Sequence, residues 1–514
     1  MAAIASCCLP DLSAWITGLP PTTQWKTDLQ SINICSSKSN KISLKFSVKR
    51  NPSSDPFVVF SLLADFQYPV YLWSSNSCRV DNKSYSVSKD TMKDLFFSFI
   101  KQVLQYGPKK NSHLVLPSYL STAHEQKFFP QMLNLAFASL LLCVCVYEAP
   151  SEIRSNCIQT VQKHLSNSKK SRESLKLLVQ LMGSNLEEQW MRSIHLALTN
   201  TVGSDQAWLR PDQARRFLKG NDPNSPYQPF SYSISSAGLW KVQLYSPIVA
   251  TRVQNSSNRN VDDERLLFSL KHQHLEAVFQ LSYSVNYKNQ NWIEIVVAID
   301  NVRCDIVPLV SDYLMAERGF GIQEKHFPSR ISLQLNPILQ NHVLSVSVSK
   351  SSDNPTIELG TEKNIEGGFD APGTYFGLKV STVDTISMSV KPWKFEQTVD
   401  GDTGNLSWVL YEINDLKEIS SSRPSKISFL NPRAWFKDRY STACRAFTRQ
   451  GGVVFARDEY GDCIAWKVKR EAMGTTMNWE IKGSIWFTYL PNKHNTFYSE
   501  TRSVDFTEVL QLPL

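Results

Sequence analysis

Residues 275–302 read LEAVFQLSYSVNYKNQNWIEIVVAIDNV. Leu275–Val285 and Trp292–Val302 carry the two-residue period of strands, and the polar run Asn286–Asn291 separates them. Two such runs around a short polar segment predict a β-hairpin. The same period recurs at 331–335, 342–349, 374–391, 406–412, 452–457, 462–468, 477–489 and 497–510. Clusters such as Gly367-Gly368 and Gly401–Asn405 punctuate these runs. Many strands with turn residues between them predict a large antiparallel, sandwich-like or barrel-like β region.

Toward the N-terminus the period changes. Pro223, Pro226 and Pro229 mark the transition, and residues 251–263 read as a polar loop. From 90 to 200 the apolar residues follow a helical repeat. Leu95, Phe96, Phe99, Ile100, Val103 and Leu104 fall on one face, as do Ile153, Cys157, Ile158, Val161 and Leu165. Leu186, Trp190, Ile194 and Leu198 repeat every four residues, and Ser184 with Glu187 forms a capping box. Ahead of them, Ile42, Leu44, Phe46 and Val48 alternate as a strand, followed by a more buried run at Phe57–Leu63. The expected fold is α+β: a poorly ordered lead-in at 1–40, a mixed, mainly helical domain at 41–222, and a β-rich domain at 223–514. A chain of 514 residues exceeds one ordinary core, so more than one domain is expected.

Met132–Tyr147, bracketed by Pro130 and Pro150, is apolar but for Asn134 and a few small polar groups. A membrane span needs about 20 apolar residues, so a buried core helix is expected and no transmembrane span. The N-terminus lacks the charged and apolar regions of a secretory signal. The ten cysteines include no CxxC pair, which fits reduced, hydrophobic cysteines in a reducing compartment. The expected location is the cytoplasm, free or peripheral at a membrane; nucleus and plastid are compatible.

Motifs for the common enzyme classes are missing: no phosphate-binding P-loop, no GxSxG elbow, no HExxH and no kinase signature. No cofactor and no catalytic residue are assigned. His272 and His274 form an HxH that would point one way from a strand, but two ligands do not make a metal site, and solvent-facing histidines are the expectation. Val399–Asn405 resembles a calcium loop only superficially. With Asp400 as position one, Asn405 stands where glycine is needed and Tyr411 where glutamate is needed. A tight hairpin turn is the expectation there.

The most suggestive stretch is 431–457, NPRAWFKDRYSTACRAFTRQGGVVFAR. Arg433, Lys437, Arg439, Arg445, Arg449 and Arg457 stand against the single acid Asp438, a local charge of +5 (six minus one) in a chain of net +8. Trp435, Phe436, Tyr440 and Phe447 interleave with them. Guanidinium forks pair with carboxylates and phosphates, and rings stack or insert at an interface. Arg433, Trp435, Lys437, Arg439, Arg445 and Arg449 are therefore the candidate binding residues, the bland alternative being a loop docked on the β domain. A second basic cluster, Arg210, Arg215, Arg216 and Lys219, reads as a solvated helix.

At WLRPDQARRFLKG and FLNPRAWFKDRY…FTRQGGVVFARDEYGD the sequence resembles a plant protein family with no assigned activity. The resemblance covers most of the chain from about residue 40. It implies a soluble, non-secreted plant protein and transfers no functional residue. The functional expectation is a non-catalytic interaction or scaffold protein that binds an acidic partner, protein or anionic lipid. An enzyme of unfamiliar type with a pocket at the domain junction and a nucleic-acid-binding protein are the alternatives.

Overall fold

A computed structural model describes residues 9–36, 42–50, 57–65, 68–80, 87–108, 123–150, 153–161 (without 155 and 159), 169–201, 229–256, 264–288, 291–311, 313, 326–338, 340–349, 357–364, 383–390, 393–410, 452–457, 463–489 and 500–514. The fold is α+β, with most of the helix in the N-terminal part and a large antiparallel β region after it. The chain divides into two compact units. The first holds residues 1–217, 222–228 and 309–311; the second holds 218–221, 229–308 and 312–514.

In the first unit, strands β1 (Leu29–Ser36), β2 (Ser43–Arg50), β3 (Phe57–Asp65), β4 (Val70–Ser74) and β5 (Cys78–Arg79) form an antiparallel sheet. Helices α1 (Leu12–Thr17), α2 (Lys89–Gln105), α3 (Ala123–Tyr147), α4 (Lys169–Met182) and α5 (Ser184–Thr201) belong to the same unit. The alternation at 42–48 and the stripe at 95–104 thus became β2 and α2. Their meeting is aromatic: Phe46 packs on Phe60, Phe99 and Phe137 with ring centroids 5.1–6.2 Å apart.

Two expectations about this unit are corrected. The lead-in at 1–40 contains α1 and β1, because Asp11 caps α1 through Ala14 N–H (3.0 Å) and β1 pairs along β2. Pro130 lies inside α3 and does not bracket it. The Lys127–Tyr147 part of α3 is long and apolar enough to cross a membrane by length and composition, and most of it is buried within the protein. Asn134, the polar residue in that run, is satisfied locally. Its Nδ2 donates to Asp11 Oδ1 (2.9 Å), and its Oδ1 accepts from Ser13 N–H (3.1 Å).

The second unit is a two-sheet sandwich. One sheet runs β12 (Val343–Val348), β18 (Cys463–Lys469), β10 (Trp292–Pro308), β9 (Gln273–Lys288), β7 (Leu239–Pro247), β6 (Phe230–Ser236), with β17 (Gly452–Ala456) also on β10. The other runs β15 (Trp393–Asp400), β16 (Thr403–Leu410), β11 (His326–Pro337), β19 (Thr476–Tyr489), β20 (Glu500–Pro513), β8 (Arg252–Ser256). A separate pair joins β13 (Ile357–Asn364) to β14 (Val383–Val390). The 275–302 segment is the β9–β10 hairpin, paired from Trp292–Lys288 outward. Tryptophans fill the space between the sheets. Trp479 lies 5.4 Å from Trp240 and 4.7 Å from Trp466, and Trp408 stacks on Phe455 at 5.6 Å.

Side-chain bonds tie the sandwich at both lateral margins, where unpaired edges would invite association. Ser231 and Ser233 of β6 donate to Glu508 (2.6 Å) and to the Val509 carbonyl (3.0 Å) of β20. Gln397 of β15 donates to the Ser349 carbonyl at 2.7 Å, just past β12. The turn expected at Val399–Asn405 is the β15–β16 hairpin, with Asp400 paired to Thr403 and Gly401 at φ 59°. The polar loop expected at 251–263 instead contributes β8, hydrogen-bonded along β20 at Ser503–Glu500. Helix α6 (Glu264–His272) follows it and runs directly into β9.

Candidate functional site

The strand registers bring one set of polar side chains to the same end of the sandwich. α6 supplies Ser269, the first residue of β9 is Gln273, the first of β11 is His326, and β20 opens with Glu500 and Arg502. Each is at most 2% exposed. Glu500 and Arg502 share a face because strand side chains repeat every two residues.

These groups form one hydrogen-bonded chain. Arg502 Nε donates to Glu500 Oε1 at 2.5 Å, Nη2 to Glu500 Oε2 at 3.4 Å, and Nη1 to the Thr251 carbonyl at 3.2 Å. His326 Nε2 lies 3.3 Å from Glu500 Oε1, and its Nδ1 lies 3.0 Å from Ser269 Oγ. The His326 backbone N–H donates to Gln273 Oε1 at 3.1 Å. Burial pushes the Glu500 carboxyl up, but the Arg502 charge and the bonds from His326 and Arg502 outweigh it and hold the pKa at about 2. Burial lowers the pKa of His326, so its ring is neutral at pH 7. An ionised Glu500 only accepts, so His326 presents a proton to it on Nε2, while Nδ1 stands within hydrogen-bond distance of both Ser269 Oγ and Gln273 Oε1 (3.2 Å).

Serine, imidazole and carboxylate in line have the composition of a nucleophile, a base and an orienting acid. Here the serine is buried on α6 and the carboxylate is already matched by a guanidinium. The arrangement hydrogen-bonds the buried polar groups of five converging segments to one another at this end of the sandwich.

The HxH histidines, expected to face solvent, are both buried and point to different surroundings. His272 ends α6 and packs 4.5 Å from Phe268, while His274 lies on β9, 3.1 Å from Glu276 Oε1 and stacked 5.9 Å from Tyr245. The helix-to-strand change between them removes the common direction that a continuous strand would give. Among the described residues, no group of three or more His, Cys, Asp or Glu is placed to hold a metal ion.

Arg433, Trp435, Lys437, Arg439, Arg445 and Arg449 lie outside the described residues, as do Arg210, Arg215, Arg216 and Lys219. The flanks of the first group are described. β16 ends at Leu410, next to Val409, which pairs with Arg330 four residues from His326. β17 begins at Gly452, which pairs with Asp305, itself paired with Glu276 two residues from His274. Both flanks therefore sit at the end of the sandwich that holds the polar chain. Within β17 Phe455 is buried against Trp393 and Trp408, and Arg457 just beyond it is exposed.

No family model matches the chain, and no curated protein matches it. Among solved structures it is similar to Clostridium perfringens delta-toxin, at 10% identity over 55% of this chain and 99% of that one, with a TM-score of 0.20. It is likewise similar to the Clostridium perfringens NetB toxin in the membrane inserted form, at 8% identity over 55% and 100%, with a TM-score of 0.19. At these scores neither likeness carries an argument about this chain.

Proposed function

We propose that this chain is a non-catalytic interaction protein that engages an acidic protein surface through the arginine- and aromatic-rich segment 431–457. The observation that supports this reading is the position of its flanks. The connection from Leu410 to Gly452 leaves one sheet and returns to the other at the same, internally bonded end of the sandwich. Residues 411–451 lie between those two strands, and segments carried between the strands of a rigid scaffold are where function concentrates. At that end of the sandwich Arg502 and Glu500 are paired with each other. On this reading the protein works in the cytoplasm, docked on its partner.

The test uses the full chain on three anionic probes at stepped salt: poly-glutamate resin, phosphatidylserine vesicles and single-stranded RNA. Retention on poly-glutamate at low salt, lost as salt screens the charges, is the expected result. Retention on RNA alone would replace this reading with nucleic-acid binding, and retention on vesicles alone with a peripheral membrane role. No retention on any probe at low salt would end the proposal.

A further inference from the structure

The first unit gathers three thiols. Cys35 stands on β1, Cys145 in the last turn of α3, and Cys157 on the helical residues that follow Pro150. Their exposures are 2%, 0% and 0%. Cys145 Sγ and Cys157 Sγ are 2.8 Å apart, and Cys35 is close enough to Cys157 for each thiol to shift the other's pKa. Cys157 is thus the central sulfur, with one thiol on either side. Cys143 is also buried, but two residues along a helix turn the side chain by about 200°, away from the direction of Cys145.

A separation of 2.8 Å is closer than unbonded sulfurs ordinarily rest, and less than about 1 Å must close to reach a disulfide of about 2.05 Å. We infer that Cys145 and Cys157 are an oxidative modification site, a reversible disulfide pair, with Cys35 as the alternative partner of Cys157.

The oxidant is a small peroxide, since nothing larger reaches thiols this buried without unfolding. Cys157 sulfur attacks one oxygen of hydrogen peroxide and the O–O bond breaks. Cys157 becomes a sulfenic acid, and the released hydroxide takes the thiol proton to give water. Cys145 sulfur then attacks the Cys157 sulfur and the S–O bond breaks. The second hydroxide takes the Cys145 proton and leaves as water. Two thiols lose two electrons, and one peroxide becomes two waters. The hydrogen bond with Cys145, and after it burial, push the Cys157 thiol well above its usual pKa against the lowering effect of Cys35, which keeps it protonated and makes the first step slow. The site therefore responds to sustained oxidant. The product links the end of α3 to the segment beyond Pro150, and exchange with Cys35 would link that segment to β1.

The experiment compares the full-length protein, reduced or exposed to hydrogen peroxide, then denatured in a thiol-alkylating reagent and mapped by tryptic mass spectrometry without reduction. Cleavage after Arg154 separates Cys145 from Cys157. The expected result is a count of alkylated thiols that falls by two from ten, with a reducible Cys145–Cys157 peptide pair. In Cys145→Ser the link moves to Cys35–Cys157, and in Cys157→Ser no link forms among the three. Ten alkylated thiols after oxidation, a sulfinic acid at Cys157 without a link, or a link that omits Cys157 would overturn the inference. Should either variant fail to fold, by circular dichroism, the wild-type link map decides alone.

Discussion

Arg502 and Glu500 sit two residues apart on β20 and close a hydrogen-bonded ion pair at 2.5 Å, with neither side chain more than 1% exposed. The pair is the hinge of a chain that continues through His326 to Ser269 and joins α6, β11 and β20 at one end of the sandwich. Buried charges are tolerated where each has its partner, so this pair specifies how those elements meet.

Removing one member leaves the other charged and dry. Arg502→Met should cost about 3–5 kcal/mol of stability, the penalty of an uncompensated buried charge. The double variant Arg502→Met/Glu500→Leu should cost less than the sum of the singles by about 1–3 kcal/mol, since the two groups act as one. Urea denaturation of the four proteins at pH 7 measures this, and additivity would contradict the pairing.

Acid should unfold the second unit in two stages. The native Glu500 pKa, about 2, lies below its ordinary value of 4.5, so its contribution is complete above 4.5 and fades as pH falls toward 2. The native His326 pKa lies below its ordinary value of 6.5, so the unfolded chain takes up that proton first and stability begins to fall below about 6.5. His326→Gln should remove the loss that starts near 6.5 and leave the loss below 4.5 in place. Stability measured from pH 8 to pH 3 checks both limbs.

Gly483 of β19 lies under the ring of Phe506, its cross-strand partner on β20. A Cβ at position 483 would stand 2.0 Å from the Phe506 Cζ, so Gly483→Ala must displace the ring. The expected cost is about 1–3 kcal/mol by overpacking. Adding Phe506→Leu should recover part of it, which a thermal melt of the single and double variants resolves.

Much of the architecture was legible in the sequence. The period of two at 275–302 and 477–489 and the helical stripe at 95–104 are properties of local pattern, and burial of one face enforces them. β8 was hidden because Arg252–Ser256 is polar, and its pairing with β20 depends on residues almost 250 positions away. α1 was hidden because a short helix gains its stability from a cap and from docking on Asn134, not from its own composition. The polar chain around Glu500 was illegible for a similar reason. Glu500 and Arg502 read as ordinary alternating charges, and only the registers of three strands show that His326 and Ser269 meet them out of water. The HxH, by contrast, was conspicuous locally and lost its meaning once the backbone changed from helix to strand between its two members.

The most direct test of the account reverses charge at three positions together, Arg433→Glu, Arg439→Glu and Arg445→Glu, and measures low-salt retention on poly-glutamate beside the melting temperature. The account predicts that retention falls at least tenfold, about 1.4 kcal/mol or more, while the melting temperature stays at the wild-type value. Unchanged retention with a lowered melting temperature would show those arginines bound within the fold and would contradict it.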